Sequence, residues 1–215
     1  MSKLVYGQRP AMLGYFPIVQ DEVFYTLYLP ISLQGMSGFL LPEPLKKFEP
    51  LVEMVNRDEP FRFRDEFVYI TSKRMFCGPN LTANRPGWHS DGFMTDDLNY
   101  VWYDALPTIF NDGPFPAVPL NHVDSLKYFE DIIDESKNYQ FPTNHLLKLD
   151  QTCSHRVAEA TEQMMRTFIK ISVSKNRYNL KGNSINHGLN YEWVTYDRKA
   201  VRNDPAAAQL DYKPE

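Results

Sequence analysis

The stretch RTFIKISVS (residues 166–174) is the most regular strand pattern in the chain. Because side chains alternate along a strand, its Thr, Ile, Ile and Val residues share one face. The opposite face carries polar side chains around one aromatic ring: Arg166, Phe168, Lys170 and Ser172. Such a strand, apolar on one face and charged on the other, predicts a β fold in which some charged groups point inward.

Other segments extend the β pattern. Residues 21–31, 61–77, 98–110 and 144–150 are rich in strand-forming residues, and 16 scattered prolines disfavour long helices. Two or three helices are predicted, depending on whether the first is broken in two. The first, over 44–56, is interrupted by Pro50, and the second, over 121–138, is capped by Asn121 and has a charged outer face.

Length and composition narrow the function classes. A chain of 215 residues fits one domain, and we expect a core over about 61–195, a strand and helix segment over 1–60 and a polar tail from about 199. The net charge of −4 disfavours nucleic acid as the main partner, leaving only a local basic patch as a route to it. No apolar run approaches the length of a membrane span, and two cysteines without CxxC spacing predict free thiols in a cytoplasmic protein.

The stretch RPGWHSDGF (residues 85–93) carries the first candidate site. In an extended chain His89 and Asp91 point to the same side and present an imidazole beside a carboxylate. Such a pair is two-thirds of the facial triad of two His and one carboxylate that holds Fe(II) in oxygenases. We interpret Pro86 and Gly87 as the turn before this pair, and Gly92 as clearance beside the metal.

A third ligand must come from elsewhere in the chain. We favour His155, because it lies between the strands predicted at 144–150 and 166–174, where a strand end can aim it back at the first pair. His145 is the rival, at the start of a short strand. His122 begins a helix and His187 lies in a loop rich in Gly and Asn, and both are poorer places for a rigid ligand.

The polar face of the 166–174 strand needs a partner. A buried row with an arginine and a lysine costs free energy unless an anion compensates the charge. A bound dicarboxylate is such a partner, and Arg166 suits it because a guanidinium meets a carboxylate with two parallel hydrogen bonds.

Together, WHSDGF, WYDALPTIF, CSHRV and RTFIKISVS resemble the Fe(II)/2-oxoglutarate-dependent dioxygenases, over about residues 61–176. That family is built on a double-stranded β-helix, or jelly roll, so the resemblance implies that fold. It also implies an enzyme with Fe(II) as cofactor and 2-oxoglutarate as co-substrate. Such an enzyme hydroxylates a small or medium organic substrate and releases succinate and CO₂.

The resemblance also implies roles for single residues. His89, Asp91 and His155 would be the iron ligands, and Arg166 would bind the distal carboxylate of 2-oxoglutarate. Further contacts to the co-substrate would come from the residues Ser172, Lys170 and Tyr103. Some branches carry an Arg-x-Ser pair where this chain has RTF, so the resemblance leaves the helper residue and the branch of the family open.

Two other functional classes are alternatives to the oxygenase. A cupin-type jelly-roll metalloenzyme, either a dioxygenase or an isomerase, would use a similar centre, although cupin sites usually carry a His-x-His pair that this chain lacks. A non-catalytic β-sandwich binding module would carry the His–Asp pair without a metal. Trp88, Trp102 and Tyr103 are expected to pack in the core rather than to stack on a substrate.

Overall fold

The computed structural model describes residues 4–79, 81 and 87–198. Two compact units divide the chain: Met1–Phe24 with Ser72–Lys170, called unit 1, and Tyr25–Thr71 with Ile171–Glu215, called unit 2. His89, Asp91, His155 and Arg166 belong to unit 1. The tail from 199 and Pro86 lie outside the described residues, and a single domain for the whole chain stays a prediction.

Strands dominate the described part of the chain. They are β1 (Ala11–Tyr15), β2 (Phe24–Ser32), β3 (Phe67–Cys77), β4 (Leu98–Tyr103), β5 (Ile109–Asn111), β6 (Asn138–Gln140), β7 (His145–Leu149), β8 (His155–Arg156) and β9 (Met164–Ser174). The helices are α1 (Glu49–Asp58), α2 (Pro60–Asp65) and α3 (His122–Ile132), with short 3-10 turns at Glu43–Phe48 and Glu135–Lys137. The predicted class, mainly β with flanking helices, is confirmed.

The strands form two sheets. The larger has the order β1-β7-β4-β9-β3-β2, and the smaller has the order β6-β5-β8. Strands β7 and β4 pair antiparallel, as do β5 with β6 and β5 with β8. An isolated antiparallel bridge between His89 and His155 adds one more rung beside β8.

This order is that of a jelly roll. From β3 onward, each segment of the first half neighbours a segment of the second half in reverse order: β3 with β9, His89 with β8, β4 with β7, and β5 with β6. A long antiparallel hairpin of this kind, wound so that its rungs alternate between two sheets, is a double-stranded β-helix. The predicted fold is therefore confirmed by the pairing itself.

Within unit 1 the two sheets are held together by an apolar cluster. Strands β4, β7 and β9 of the larger sheet contribute to it, and β5 contributes from the smaller sheet. Its buried members are Val101, Tyr103, Phe110, Leu147, Leu149, Cys153 and Phe168. Val101 and Tyr103, two alternate residues of β4, take part, so the alternation of this strand defines an inward face of the roll. Trp88, Trp102 and Tyr103 are buried, as expected for core residues, and both cysteines are buried free thiols.

The sequence-based prediction is wrong at residues 61–65. The alternation in FRFRDEF predicts a strand, whereas Pro60–Asp65 forms helix α2 and the strand begins only at Phe67. Pro60 occupies the first helical turn, where its missing N–H costs nothing. Arg62 donates two 2.9 Å hydrogen bonds to Glu66 one turn later, and Phe63 is buried. Those helical contacts prevail over the alternation.

Three further boundaries differ from the predictions. The single strand expected over 98–110 is two strands in different sheets, β4 and β5, because the chain turns between them. The helix expected over 121–138 ends at Ile132, although its Asn121 cap is confirmed by a 2.8 Å bond from the Asp124 N–H. The break expected at Pro50 falls between Phe48 and Glu49, so that Pro50 lies in the first turn of α1. In the described ranges, the helices all fall short of the length and apolar character that a membrane-spanning helix requires.

Candidate metal centre and anion site

His89, Asp91 and His155 converge in unit 1. One ligand atom from each lies within 4.8 Å of the others. The backbones of His89 and His155 exchange two hydrogen bonds of 3.0 and 2.8 Å, so the residues stand directly opposite each other, with ring centroids 4.6 Å apart. The winding of the roll therefore places the two imidazoles side by side, although the residues are far apart in the chain.

Both rings are oriented by the backbone. His89 Nδ1 lies 2.9 Å from the Gly87 carbonyl oxygen, and His155 Nδ1 lies 3.0 Å from the Cys153 carbonyl oxygen. A carbonyl at this distance holds the proton on Nδ1, which leaves Nε2 as the atom with a lone pair. His155 Nε2 lies 3.8 Å from Asp91 Oδ2. The two rings are thus arranged as histidine ligands usually are.

Asp91 is held as a carboxylate. Burial alone would raise its pKa, but Lys170 and, to a smaller extent, His155 and His89 hold that pKa well below its usual range. Lys170 Nζ lies 3.2 Å from Asp91 Oδ2. The charged form is the one that binds a metal ion.

This donor set fits Fe(II). Two imidazole nitrogens and one carboxylate oxygen, all from one side, are the ligands of the non-haem iron centres that activate O₂. The bound ion would keep its remaining coordination positions for other molecules.

Gly92 lies in a tight turn directly after Asp91. Gly92 has φ +67°, and a Cβ there would lie 3.1 Å from Asp97 Cβ. Its carbonyl accepts a 2.9 Å bond from the Thr95 N–H. Gly92 is therefore required by a tight turn and by Asp97, and its interpretation as clearance beside a metal stays a prediction.

Arg166 is buried with part of its charge unsatisfied. The side chain is 1% exposed, and its Nε donates 3.1 Å bonds to the carbonyl oxygens of Ala105 and Leu106. Both terminal nitrogens lack a hydrogen-bond partner among the described residues. Burial lowers the pKa of Arg166 to about 10, so the group stays charged at neutral pH. Buried donors in this state favour an anionic ligand.

Aromatic rings hold the guanidinium of Arg166. Its Cζ lies 5.0 Å from the centre of the Phe168 ring and 5.7 Å from that of Tyr103. The Tyr103 hydroxyl donates a 3.3 Å bond to the Phe141 carbonyl oxygen. The Tyr103 ring thus lies beside the Arg166 guanidinium, whereas the Tyr103 hydroxyl is bound to the Phe141 carbonyl oxygen.

Lys73 is a cation of this site that the sequence-based reasoning missed. Its Nζ lies 5.6 Å from the centre of the Phe168 ring, the same ring that Arg166 contacts. Burial, together with the charges of Arg166 and Lys170, lowers the pKa of Lys73 to about 8, while Cys77 and Asp91 act in the opposite direction. Lys73 therefore belongs to one electrostatic cluster with both cations of β9.

The alternation of β3 could have revealed Lys73. In TSKRMFC, Lys73 has the same parity as Met75 and Cys77, and these two residues pack in an apolar cluster of unit 1. Arg74 points the other way, where its Nη1 binds Asp104 at 3.3 Å and Thr167 at 2.9 Å.

Within the described residues, the group that could hold a metal ion consists of His89, Asp91 and His155, and the other candidates are not members of it. His145 has its Nδ1 on the Thr143 carbonyl oxygen and its ring 5.2 Å from that of Tyr15, and the His122 ring lies 5.5 Å from Phe93. His187 lies in unit 2. Ser172 is buried on β9 two residues beyond Lys170 and also belongs to unit 2.

Helix α3 anchors the chain just before His89. Glu130 Oε1 accepts a 2.7 Å bond from the Trp88 backbone N–H, and a Cβ at Gly87 would lie 2.9 Å from that same oxygen. The Arg156 guanidinium lies 5.1 Å from the centre of the Trp88 ring and pairs with Glu135 at 3.2 Å. Gly87 is required here by the close carboxylate and by its φ of +86°.

No protein-family model and no curated protein matches the chain significantly. Solved structures of EvdO2 from Micromonospora carbonacea var. aurantiaca are similar at a low level. The complex with 2-oxoglutarate has a TM-score of 0.37 and 13% identity, covering 70% of this chain and 76% of EvdO2. A second EvdO2 structure has a TM-score of 0.37 and 15% identity, covering 63% and 67%. Likeness at this level carries no argument about this chain.

Proposed function

We propose that this protein is an Fe(II)- and 2-oxoglutarate-dependent oxygenase that hydroxylates a small or medium organic substrate. One observation carries the proposal: unit 1 holds both a His–Asp–His donor set and a buried guanidinium whose terminal nitrogens lack hydrogen-bond partners among the described residues. The first fits Fe(II), and the second fits a carboxylate. A co-substrate with a metal-binding end and a carboxylate end, as 2-oxoglutarate has, would use both.

The chain's own residues would divide the work. His89, Asp91 and His155 would hold the iron, with both rings fixed by the carbonyl oxygens of Gly87 and Cys153. The Nε of Arg166 is already bound to backbone carbonyl oxygens, so the two terminal nitrogens would donate parallel hydrogen bonds to the distal carboxylate.

The cations would supply countercharge. Lys73 and Lys170 join Arg166 in one cluster, so a dianion would meet a strongly positive environment. Bound iron would supply activation of O₂, whose four electrons come in equal parts from 2-oxoglutarate and the substrate. The balanced reaction converts substrate C–H, 2-oxoglutarate and O₂ into substrate C–OH, succinate and CO₂.

The assay is formation of succinate from 2-oxoglutarate, by the purified protein with Fe(II) and a panel of candidate substrates. We expect turnover that needs both Fe(II) and O₂ and that is lost in Asp91→Ala. His145→Ala is a matched control, because His145 has the same Nδ1 contact to a backbone carbonyl but is not a member of the group that could hold a metal ion. A protein that binds metal yet never consumes 2-oxoglutarate would point instead to a cupin-type metalloenzyme. A protein that binds no metal would point to a binding module.

A further inference from the structure

The turn after β4 fixes the guanidinium of Arg166. Its Nε donates hydrogen bonds of 3.1 Å to the carbonyl oxygens of both Ala105 and Leu106. These bonds restrain the plane of the guanidinium, because Nε lies in that plane together with both terminal nitrogens. The directions in which the terminal nitrogens donate are therefore set by two backbone carbonyl groups of a turn.

Asp104 binds this turn to β9. Its Oδ1 accepts a 2.7 Å hydrogen bond from the Thr167 backbone N–H, and its own N–H donates to the Thr167 carbonyl oxygen at 3.3 Å. Thr167 is the residue after Arg166 on β9. The turn is thus bound to two consecutive residues of one strand, to Thr167 through Asp104 and to Arg166 through the next two carbonyl groups.

Arg74 of β3 completes the network. Its Nη1 lies 3.3 Å from Asp104 Oδ2 and donates a 2.9 Å bond to Thr167 Oγ1. The Arg74 and Asp104 side chains are 14% and 21% exposed, so their attraction is weakened little by water. Arg74 thereby neutralises Asp104 and joins β3, the turn and β9. All residues of this network and Arg166 belong to unit 1.

The network explains how Arg166 can keep unsatisfied donors. Both of its terminal nitrogens lack hydrogen-bond partners among the residues that the structure describes, although Arg166 is 1% exposed. Buried donors in this state are costly, so a mobile turn would move its carbonyl oxygens toward them. A held turn prevents that relaxation and keeps both donors available for an anion. Such preorganisation strengthens binding, because less side-chain freedom is lost when the anion binds.

We infer that Asp104 and Arg74 are positioning residues of the anion site: they hold the turn whose carbonyl oxygens aim the Arg166 guanidinium at the distal carboxylate of the co-substrate. This inference rests on the proposed function, because it takes a dicarboxylate as the ligand. Both residues act through Arg166. A change in either should therefore matter only for a ligand that carries the distal carboxylate.

The test compares two keto acids on the Mn(II)-loaded protein, with dissociation constants from calorimetry. 2-Oxoglutarate carries the distal carboxylate, and 2-oxobutanoate offers the same chelating end without it. Asp104→Asn keeps the size of the side chain and replaces the oxygen that faces Arg74 with an amide donor. It should weaken 2-oxoglutarate binding about tenfold, while 2-oxobutanoate binding stays within about twofold. Glutarate without any metal should lose affinity by the same factor as 2-oxoglutarate.

A double substitution separates positioning from a general structural role. In Arg166→Met, adding Asp104→Asn should weaken 2-oxoglutarate binding no further, because the group that Asp104 positions is gone. Arg74→Lys keeps the charge and should lose less affinity than Arg74→Met, which is the second variant if Asp104→Asn does not fold. Asp112→Asn is the matched control. Asp112 forms a different ion pair of unit 1, with Arg9, so this variant should bind 2-oxoglutarate as the unsubstituted protein does.

The inference is overturned if Asp104→Asn and Arg74→Met, folded by circular dichroism, bind 2-oxoglutarate as tightly as the unsubstituted protein. It is also overturned if Asp104→Asn weakens 2-oxobutanoate equally, or if it has its full effect in Arg166→Met. If the unsubstituted protein binds no dicarboxylate, the inference and the proposed function both fail. Failure of the proposed function alone looks different: glutarate binding depends on Arg166 and Asp104, yet Fe(II) and 2-oxoglutarate give no succinate.

Discussion

Arg166 is the residue whose surroundings say most about a ligand. A buried guanidinium normally has all its nitrogens satisfied, yet both terminal nitrogens of Arg166 lack partners in the described part of the chain. The sequence predicted an inward arginine from the alternation of 166–174, and the structure places it so. Its position against the carbonyls of Ala105 and Leu106 could not be predicted, because it depends on the turn between β4 and β5.

Arg166→Met should therefore weaken 2-oxoglutarate binding by about 100-fold, since two hydrogen bonds to a charged group are lost. Mn(II) binding in the absence of 2-oxoglutarate should change little, because Arg166 has no contact with the triad. Calorimetric titration with each ligand checks both statements. Equal 2-oxoglutarate affinity in Arg166→Met would show that the arginine has only a structural role.

The lowered pKa of Lys73 predicts that the affinity for 2-oxoglutarate depends on pH. Its pKa, lowered to about 8 by burial and by the neighbouring cations, means that the ammonium is charged at pH 7 and mostly neutral at pH 9. An anion prefers the charged form, so 2-oxoglutarate affinity in the presence of Mn(II) should be level below pH 8 and should fall above it. Lys73→Met should bind more weakly at pH 7 and show a flatter profile between pH 7 and 9. A profile unchanged by the substitution would remove Lys73 from the site.

Among the elements, α3 makes a contact next to the candidate metal centre that its sequence did not predict. The outer charged face predicted a solvated surface, whereas Glu130 holds the Trp88 N–H one residue before His89. The elements themselves were predicted where local patterns decide: β2, β7, β9 and the Asn121 cap. The predictions failed at 61–65, where the Arg62–Glu66 ion pair favours a helix. They also failed at 104–108, where the chain turns toward a strand of the other sheet.

Glu130→Ala should lower Mn(II) affinity by about tenfold, because the segment that carries His89 loses its anchor. Asp131→Ala, at the next and exposed position of the same helix, is the control and should bind Mn(II) as the unsubstituted protein does. Calorimetry gives the affinities, and circular dichroism establishes that both variants are folded. If the two variants bind equally well, α3 does not support the metal centre.

At the scale of the whole molecule, the winding of the roll creates the site. His89 and His155 become neighbours only because each half of the long hairpin pairs with the other in reverse order. Sequence patterns are local, so they predicted a mainly β chain but no strand pairing. The jelly roll came from a family resemblance, and His155 was favoured as third ligand for its position between two predicted strands. The three residues expected to bind iron are the ones that the fold brings together, although the metal itself stays a proposal.

Ligands that bind only the folded chain should stabilise it. When Mn(II) and 2-oxoglutarate are both present, each at about 100 times its own dissociation constant, each ligand should add about 2.7 kcal/mol to the free energy of unfolding. A thermal melt should therefore shift upward with both ligands and return to its original midpoint after chelation of the metal by EDTA. In Asp91→Ala the shift with Mn(II) should vanish. An equal shift in that variant would place the metal elsewhere.

The most direct measurement is an anaerobic titration of the Fe(II)-loaded protein with 2-oxoglutarate, recorded as visible absorption. Chelation of Fe(II) by the keto acid produces a charge-transfer band, and it needs neither O₂ nor an identified substrate. The band should form in the unsubstituted protein and in His145→Ala, should be absent in His155→Ala, and should require far more 2-oxoglutarate in Arg166→Met. A band of full strength in His155→Ala, or no band in the Fe(II)-loaded unsubstituted protein, would contradict the proposed site.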